Sequence, residues 1–535
     1  MRRLAVVLCL TAPGLFGCAR PAPALGPRLE PLQQLRQDIT AATSLPGVQR
    51  AAWGIVVHSL DRNERIYELN PRMLLVPAST SKLVSLASAV DAVGWDYRYE
   101  TVVRASAPIV NGTMQGDLLI AGSGDPSIGG RAGERLDPWV AALKALGLRR
   151  IDGRVIGDDD AVEEPRPQLA WAWDDLGYPT GALFGALNLG ENRMEITVNP
   201  GSAPGDPPTF SMDPAAWSRP LRNRMVTGPP ESPVSVWPEQ RPGEAYLTIA
   251  GSVPIGAPPA RLQISVGNPT AWFATVFRAA LIDGGIEVSG GAYDVDDVAP
   301  RPEWAGARTL FTHRSSTLAE IAQPMLKNSI NLYGEAVLRL NSAKGTFPTN
   351  DAALEGLRTR MTAWGIPPDS WQIIDGSGLS RRNAIAPDAL VAVLQRMYDA
   401  AAASPWMTAL PIAGRDGTLA SRMIGTAAEG NVRAKTGTMS NIRALAGYVR
   451  TRDGEHLAFA VLSDNFEGPG TAATGAIDKI AVRLATFSRV PNSASAKASA
   501  RLAVARSAKG VAMLHSPGPL RGTRPAPHRR QGGRK

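Results

Sequence analysis

Hydrophobic periodicity divides the chain into an N-terminal, a middle and a C-terminal part. Near the N-terminus it predicts two strands, Ala51–Leu60 and Arg65–Leu69, followed by a helix over Ser79–Val93. The C-terminal part is mostly helical and then changes to short strands. Its predicted helices are Leu318–Leu326, Asn331–Leu340, Ala352–Trp364, Pro387–Ala401 and Thr471–Phe487, and its predicted strands are Val432–Thr436, Ala444–Arg450 and Leu457–Leu462. The short turns between these strands predict an antiparallel meander.

The middle part has shorter elements and many prolines and glycines. Its predicted strands are Arg98–Ala105, Gly116–Ala121, Ile151–Gly157 and Ile286–Gly290, and its predicted helices are Trp139–Leu148 and Thr270–Ile282. From Glu163 to about Pro258 the density of proline and glycine excludes interior helices and central strands. We therefore predict loop-rich β structure inserted into a main α+β domain.

Length and charge limit the possible architectures and partners. At 535 residues, one domain per roughly 150 residues predicts about three units. The formal net charge is +9, but eleven Lys and Arg and no acidic residue lie from Arg489 to the end, which leaves −2 for the rest. The body therefore lacks the charge that would favour nucleic acid as a partner. Residues 489–535 are predicted to be a disordered basic tail.

The first 31 residues have the pattern of an exported protein. Arg2 and Arg3 precede the apolar run Leu4–Leu10, which is typical of a secretory signal and too short for a membrane span. The signal is predicted over residues 1–18 and ends at Leu15-Phe16-Gly17-Cys18, which resembles a bacterial lipobox. Acylated Cys18 would anchor the protein to a membrane, and an ordinary signal peptide cut nearby is the alternative. Residues 19–31 are predicted to be a tether.

Ser79-Thr80-Ser81-Lys82 is the first of three short motifs that could form one active site. On a helix, Ser-x-x-Lys places a hydroxyl and an amine one turn apart on the same face, where the amine can take the hydroxyl proton. Ser79 is the candidate nucleophile and Lys82 the candidate base. This role requires burial or neighbouring cations, such as Lys435, to lower the pKa of Lys82. The alternative is a solvated lysine.

The second motif is Ser329-Ile330-Asn331, between two predicted helices. The Ser329 hydroxyl could relay a proton from Lys82 to a departing amine. Asn331 has both a donor and an acceptor, so it could orient Lys82 and bind a substrate amide.

The third motif, Lys435-Thr436-Gly437-Thr438, falls at the end of a predicted strand. Lys435 and the hydroxyls of Thr436 and Thr438 could hold a carboxylate, with Gly437 at a point where a ligand backbone approaches closely. The alternative is an exposed edge strand with a solvated lysine.

A Ser-His-Asp hydrolase is the rival mechanism, and the histidines do not favour it. His515 and His528 lie in the tail, whereas His58, His313 and His456 fall in or beside predicted strands and suit structural roles. The sequence has no Gly-x-Ser-x-Gly elbow, no His-Glu-x-x-His pair and no cysteine-rich ligand set. We predict no metal and no cofactor.

Together with five longer blocks, the motifs give a resemblance to a known family. The blocks are Pro77–Lys82, Gly122–Pro126, Asp375–Arg381, Gly414–Leu419 and Ala434–Met439. The chain resembles, from about residue 32 to 488, the D-alanyl-D-alanine carboxypeptidase/endopeptidase family, the low-molecular-mass class C penicillin-binding proteins. The 250 residues from Ser79 to Ser329 exceed the spacing in a compact β-lactamase.

The resemblance implies a fold and its domains. The fold is the penicillin-recognising serine-enzyme fold, an antiparallel sheet flanked by helices, with two inserted, nested, mainly β domains. The catalytic domain would cover 32–100 and 302–488, inserted domain II 101–172 and 246–301, and nested domain III 173–245. Asp158, Asp159 and Asp160 lie in a family-like stretch, where they either face the amino end of the substrate or form an acidic loop.

The resemblance also implies an activity at the cell envelope, in the periplasm. Ser79 would attack the terminal D-Ala-D-Ala carbonyl of a peptidoglycan stem peptide and form an acyl-enzyme, and β-lactams would bind at the same place. Lys82 would be the base and Ser329 the proton shuttle. Lys435 and Thr436 would receive the terminal carboxylate, and the N–H groups of Ser79 and Thr438 would form the oxyanion hole. A β-lactamase and a non-catalytic wall-binding lipoprotein are the alternatives.

Overall fold

The computed structural model describes residues 30–217, 219–241, 243–302, 306–399 and 403–490. The helices of these residues are α1 (Pro31–Thr43), α2 (Ser81–Val93), α3 (Asp137–Ala145), α4 (Pro269–Asp283), α5 (Leu318–Lys327), α6 (Asn331–Arg339), α7 (Asn350–Ala363), α8 (Pro387–Asp399), α9 (Ala403–Ala409) and α10 (Gly470–Thr486). The predicted signal, Cys18, most of the predicted tether and the predicted tail from residue 491 lie outside the described residues.

The strands occur in three groups along the chain. They are β1 (Ala52–Ser59), β2 (Glu64–Leu69), β3 (Glu100–Ala105), β4 (Ile109–Val110), β5 (Thr113–Met114), β6 (Leu118–Ala121), β7 (Arg150–Ile151), β8 (Val155–Asp158), β9 (Arg193–Asn199), β10 (Thr209–Asp213), β11 (Leu221–Gly228), β12 (Ser235–Glu239), β13 (Leu247–Pro254), β14 (Ala260–Ser265), β15 (Glu287–Val288), β16 (Ala292–Asp294), β17 (Arg308–Arg314), β18 (Trp371–Gln372), β19 (Ala384–Ile385), β20 (Arg433–Met439), β21 (Ile442–Arg450) and β22 (His456–Asp464).

A five-stranded antiparallel sheet combines the two ends of the folded body. Its order is β2-β1-β22-β21-β20, so the predicted C-terminal meander adds directly to the predicted N-terminal hairpin. In β22, every residue from Leu457 to Asp464 is buried. Because successive side chains of a strand point to opposite faces, this burial means that both faces of the sheet are covered. Helix α8 packs on β1 and β22, and α10 packs on β21.

Helix α2 is the central helix of the catalytic half. All residues from Ser81 to Ala89 are buried, because α5, α6, α7 and α8 each pack against α2. A helix that is buried on all sides holds its N-terminal end rigidly in the core. The first motif is therefore fixed in place by packing.

The middle of the chain forms further sheets around a second hydrophobic core. One sheet has the order β16-β8-β6-β3-β17 and another the order β15-β7-β5-β4, and two three-stranded sheets, β10-β9-β14 and β11-β13-β12, follow. Buried side chains of β9, β13, β14, α3 and α4 belong to one contiguous cluster, which includes Trp139, Ile196, Ile249, Ile264 and Phe273. The two predicted inserted units therefore share a core.

Strand pairing crosses the predicted domain edges. The edge at residue 245 separates β12 from β13, and β9 from β14, although both pairs are hydrogen-bonded. The edge at residue 301 separates β17 from β3, which also pair. We propose edges after β14 for the nested unit and after β17 for the whole insertion. Contacts between residues this far apart in the chain leave no local sequence signal.

One predicted strand, Ile151–Gly157, is two strands in different sheets, β7 and β8. The break falls at Asp152-Gly153, where a Cβ on Gly153 would lie 2.1 Å from the Gly116 carbonyl oxygen. This close approach of two backbones turns the chain between the sheets. In the described part of the chain, no helix has both the length and the apolar composition needed to cross a bilayer.

Candidate active site

Ser79 lies on a single 3-10 turn, Ala78–Thr80, that leads into α2. The helix itself begins at Ser81, two residues later than the sequence predicts. Ala78 has φ of +46°, a conformation that is rare for residues other than glycine, and the Thr80 hydroxyl donates to the Pro77 carbonyl over 2.8 Å. Such strain persists only where the surroundings impose it, and it is common at active sites.

The Lys82 side chain is fully buried beneath this turn. Its Nζ donates to Ser79 Oγ over 3.0 Å, to Asn331 Oδ1 over 2.7 Å and to the Ser377 carbonyl oxygen over 2.5 Å. Burial lowers the pKa of Lys82 to about 7, although the carboxylates of Asp375 and Glu335 act in the opposite direction. A substantial fraction of the amine is therefore neutral at neutral pH and able to accept the Ser79 proton.

Ser329 and Asn331 reach the site from the start of α6. Ser329 has φ of +60°, and its Oγ accepts a hydrogen bond from Lys435 Nζ over 2.9 Å. Asn331 uses its Oδ1 for Lys82 and donates from Nδ2 to the Thr180 carbonyl over 2.8 Å. The predicted contact of Asn331 with Lys82 is present, and one of the two N–H groups on Nδ2 is occupied by the insertion.

Lys435 lies on β20 and is also fully buried. Its Nζ donates to Ser329 Oγ and to the Thr436 carbonyl, each over 2.9 Å. Burial, and then the charge of Lys82, lower the pKa of Lys435. The Thr436 hydroxyl donates to Thr418 Oγ1 over 2.8 Å.

Gly437 is placed differently from the prediction. A Cβ at this position would lie 2.4 Å from the Pro77 carbonyl oxygen, so the close approach is between β20 and the turn that carries Ser79. Gly437 does not line the cleft. The glycine therefore serves the packing of the protein's own backbone.

A cleft of about 480 Å³ opens above these residues. Its lining includes the predicted residues Ser79, Ser329, Asn331, Thr436 and Thr438. Lys82 and Lys435 lie behind this lining. The site therefore has two buried amines, each hydrogen-bonded to a serine that faces the cleft.

The cleft also contains charged and polar residues that sequence reasoning missed. They are Asp174, Asp175, Thr180, Arg381 and Thr418. Arg381 and Thr418 lie within blocks that could have indicated them, whereas the aspartates lie in a proline-rich stretch without a motif. Burial and the neighbouring Asp174 raise the pKa of Asp175, and Arg381 opposes this shift. Charges of both signs therefore face each other in the cleft.

The acidic triplet Asp158–Asp160 lies away from the cleft. Asp159 accepts a hydrogen bond from the Thr270 hydroxyl at the start of α4, and Asp160 forms an ion pair with Arg301. In the described residues, Asp159, Glu164 and Asp296 are the acidic group whose ligand atoms approach one another, within 4.8 Å. None of the three lines the cleft.

Comparison with known proteins places this geometry in a family. Residues 35–486 match the D-Ala-D-Ala carboxypeptidase 3 (S13) family. The chain is 35% identical, over 469 residues and 85% of each chain, to a D-alanyl-D-alanine carboxypeptidase of Actinomadura sp. strain R39. It is 27% identical, over 472 residues, 81% of this chain and 87% of the relative, to penicillin-sensitive carboxypeptidase A of Dictyostelium discoideum.

A solved structure has the same fold. Penicillin-binding protein 4 (dacB) of Haemophilus influenzae matches with a TM-score of 0.72 and 24% identity, covering 85% of this chain and 98% of that one. The predicted fold class is confirmed. The match over almost all of the folded body confirms the resemblance found in the motifs, and the chain belongs to the D-Ala-D-Ala carboxypeptidase 3 (S13) family of serine-type peptidases.

Proposed function

We propose that Ser79 is the nucleophile of this D-Ala-D-Ala carboxypeptidase and that Lys82 is its general base. One observation carries the assignment: Ser79 Oγ faces the cleft 3.0 Å from a buried amine whose pKa is about 7. A base of this pKa can remove the hydroxyl proton at neutral pH. Attack on the penultimate D-Ala carbonyl then gives an acyl-enzyme, which water hydrolyses.

Ser329 and Lys435 serve the leaving group in this proposal. When the peptide C–N bond breaks, the departing D-Ala amine needs a proton. The Ser329 hydroxyl faces the cleft and can give its proton to the amine while it takes up the proton that Lys82 received from Ser79, and Lys435 Nζ, 2.9 Å away, donates a hydrogen bond to the same oxygen. The backbone N–H groups of Ser79 and Thr438 form the oxyanion hole, in which one donor typically contributes about 3 kcal/mol.

Different side chains of the cleft suit different parts of a stem peptide. The hydroxyls of Thr436, Thr418 and Thr438 can bind the terminal carboxylate, and the buried Lys435 amine lies behind them. Asp175 and Arg381, together with Asp174, suit a residue that has both an ammonium and a carboxylate group. A diamino acid of a peptidoglycan stem peptide has both.

β-Lactams are the second class of ligand that we propose for this serine. An activated serine with an oxyanion hole attacks a strained amide as readily as a peptide. The Dictyostelium relative is named as penicillin-sensitive, which supports the proposal. A β-lactamase would release the acyl group rapidly, so a single burst of penicillin hydrolysis followed by a stable adduct would exclude that alternative.

We also propose that the protein works in the periplasm or cell envelope. The predicted signal over residues 1–18 and the peptidoglycan substrate support this location. Cys18 is the proposed lipid attachment point. Labelling cells with radioactive palmitate tests it: a labelled wild type and an unlabelled Cys18→Ser variant are expected, and an unlabelled wild type would favour an ordinary signal peptide.

Purified muropeptides test the activity. We expect wild type to release D-Ala from monomeric pentapeptides, to split cross-linked dimers, or to do both, and mass spectrometry of the products distinguishes carboxypeptidase from endopeptidase activity. The Ser79→Ala variant should form neither product. Absence of both products with the wild type would instead favour the non-catalytic wall-binding lipoprotein.

A further inference from the structure

The loop Asp375–Arg381 supplies a contact to Lys82 that the three motifs do not include. The Ser377 carbonyl oxygen accepts a hydrogen bond from Lys82 Nζ over 2.5 Å. Gly378, with φ of +83°, lets the loop come close: a Cβ there would lie 2.0 Å from the Ala78 carbonyl oxygen. The loop therefore packs directly on the turn that carries the nucleophile.

This carbonyl determines where the reactive electron pair of Lys82 points. A neutral amine has two N–H donors and one lone pair. Asn331 Oδ1 and the Ser377 carbonyl can only accept, so they take the two N–H groups. The lone pair is then left for the third neighbour, the Ser79 hydroxyl. Without the Ser377 carbonyl in place, the amine could rotate and direct an N–H at Ser79.

Glu335 on α6 holds this loop from behind. Its side chain is 1% exposed, and Oε1 accepts from the Ser377 N–H over 2.9 Å while Oε2 accepts from the Gly376 N–H over 3.3 Å. A Cβ on Gly376 would lie 2.1 Å from the Gly334 carbonyl oxygen, so α6 and the loop are in backbone contact. Ser377 thus donates to Glu335 and accepts from Lys82.

We propose that Glu335 is a positioning residue of the reaction: by clamping the N–H groups of Gly376 and Ser377, it fixes the Ser377 carbonyl that aims the Lys82 lone pair at Ser79. Glu335 touches neither substrate nor Ser79 and acts through the loop. The inference rests on the proposed role of Lys82 as the base.

The charges around the two groups set the direction of the pH effect. Burial favours the neutral form of Lys82, and the carboxylates of Asp375 and Glu335 favour its protonated form. The charge of Lys82 in turn helps to lower the pKa of nearby Lys435. Burial raises the pKa of Glu335 to about 7, the Asp375 carboxylate acts in the same direction, and Arg339 opposes the shift. Removing the Glu335 carboxylate is therefore expected to lower the pKa of Lys82.

Two variants separate positioning from charge. Glu335→Gln keeps the length but presents an amide NH₂ to one backbone donor, and it removes the charge. Glu335→Asp keeps the charge but is too short to accept from both N–H groups. The matched control is Glu191→Gln, a buried glutamate of the insertion that accepts a backbone N–H from Arg131. Each full-length variant is tested by its acylation rate with fluorescent penicillin from pH 5.5 to 9, together with thermal unfolding.

We expect the plateau rate to fall roughly 10- to 100-fold in both Glu335 variants, as is typical of misplaced catalytic groups. The acid limb should move to lower pH in Glu335→Gln and stay in place in Glu335→Asp, and Glu191→Gln should match wild type. If Glu335→Gln fails to fold, the plateau acylation rate of Glu335→Asp alone tests the inference.

Wild-type rates and pH midpoints in the Glu335 variants would overturn the inference. The inference would also be overturned if the acylation rate fell only in proportion to the folded fraction and fell equally in Glu191→Gln. Failure of the proposed function is a separate result: there, wild type would not be acylated, or Ser79→Ala would be acylated equally.

Discussion

At the scale of single residues, burial decides the chemistry of Lys82. The ammonium group of a lysine in water has a pKa near 10.4. A base with that pKa would be almost wholly protonated at pH 7. Complete burial of Lys82 lowers this pKa to about 7. The nearby carboxylates prevent a larger shift, so the pKa of the amine stays close to the working pH, where a general base is most effective.

Acylation should therefore depend on pH through Lys82. Its protonated form cannot accept the Ser79 proton, so the rate of acylation is expected to rise as the pH increases through about 7 and to level off above 8. Stopped-flow measurement with a chromogenic β-lactam checks this profile. A rate that is flat from pH 5.5 to 9 would rule out titration of the base in this range.

Replacing Lys82 by arginine should remove the base while keeping a long cationic side chain. A guanidinium is not deprotonated in proteins, so acylation is expected to fall by about 10² to 10⁴. The time course of penicillin labelling measures the loss. The control is Lys479→Arg, at an exposed position on α10, which should acylate like wild type. Near-normal acylation of Lys82→Arg would contradict the assignment of the base.

At the scale of elements, three backbones meet at the nucleophile. Gly378 of the Asp375–Arg381 loop and Gly437 of β20 each approach the turn around Ala78 so closely that a Cβ would overlap a carbonyl oxygen. The absence of side chains at both positions lets the loop, the strand and the 3-10 turn pack together. Position and rigidity of Ser79 follow from this packing.

Gly378→Ala should disturb both stability and acylation. The new Cβ would meet the Ala78 oxygen at 2.0 Å, and φ of +83° is unfavourable for alanine. We expect a loss of about 2–5 kcal/mol in the free energy of unfolding and acylation at least about tenfold slower. Urea unfolding and penicillin labelling measure these.

Gly365→Ala is the control for Gly378→Ala, because its φ is +75° but no atom lies within 4 Å of the new Cβ. It should lose only about 1 kcal/mol and keep its acylation rate. Equal effects of the two substitutions would show that the contact with Ala78 is unimportant.

At the scale of the whole molecule, the insertion completes the active site. Its carbonyl groups at Thr180 and Leu169 accept from Asn331 and Ser380, and Trp171 donates to Asp375 over 2.8 Å. The insertion also brings Asp174 and Asp175 into the cleft opposite Arg381. The long middle part of the chain therefore forms one wall of the site.

Arg381→Gln should distinguish peptide from penicillin. A stem peptide has a diamino acid whose charges Arg381 can contact, whereas penicillin lacks that residue. We expect kcat/KM for a diamino-acid stem peptide to fall about tenfold, the value of one charge-assisted contact, with penicillin acylation within about twofold of wild type. Arg382→Gln, outside the cleft, is the control. If Arg381→Gln lowered the stem-peptide kcat/KM and the penicillin acylation rate equally, the substitution would instead be acting on the chemistry at Ser79.

The sequence predicts the parts of the site that lie in short motifs. Ser79, Lys82, Ser329, Asn331, Thr436 and Thr438 come together as expected, because each lies in a short motif that the family resemblance assigns to one active site. The interaction of Asn331 with Thr180 was not predictable, because it depends on how a proline-rich insertion folds back. Likewise, β14 pairs with β9 and β17 with β3 across long stretches of chain, so periodicity gives the strands but not the domain edges.

Ser79 is the residue that we expect to become acylated. This assignment is tested most directly by reacting the protein with penicillin, digesting it and locating the adduct by mass spectrometry. We expect one penicilloyl group, on the peptide that contains Ser79, and no adduct in Ser79→Ala. An adduct on another residue, such as Ser329, or equal labelling of Ser79→Ala, would contradict it.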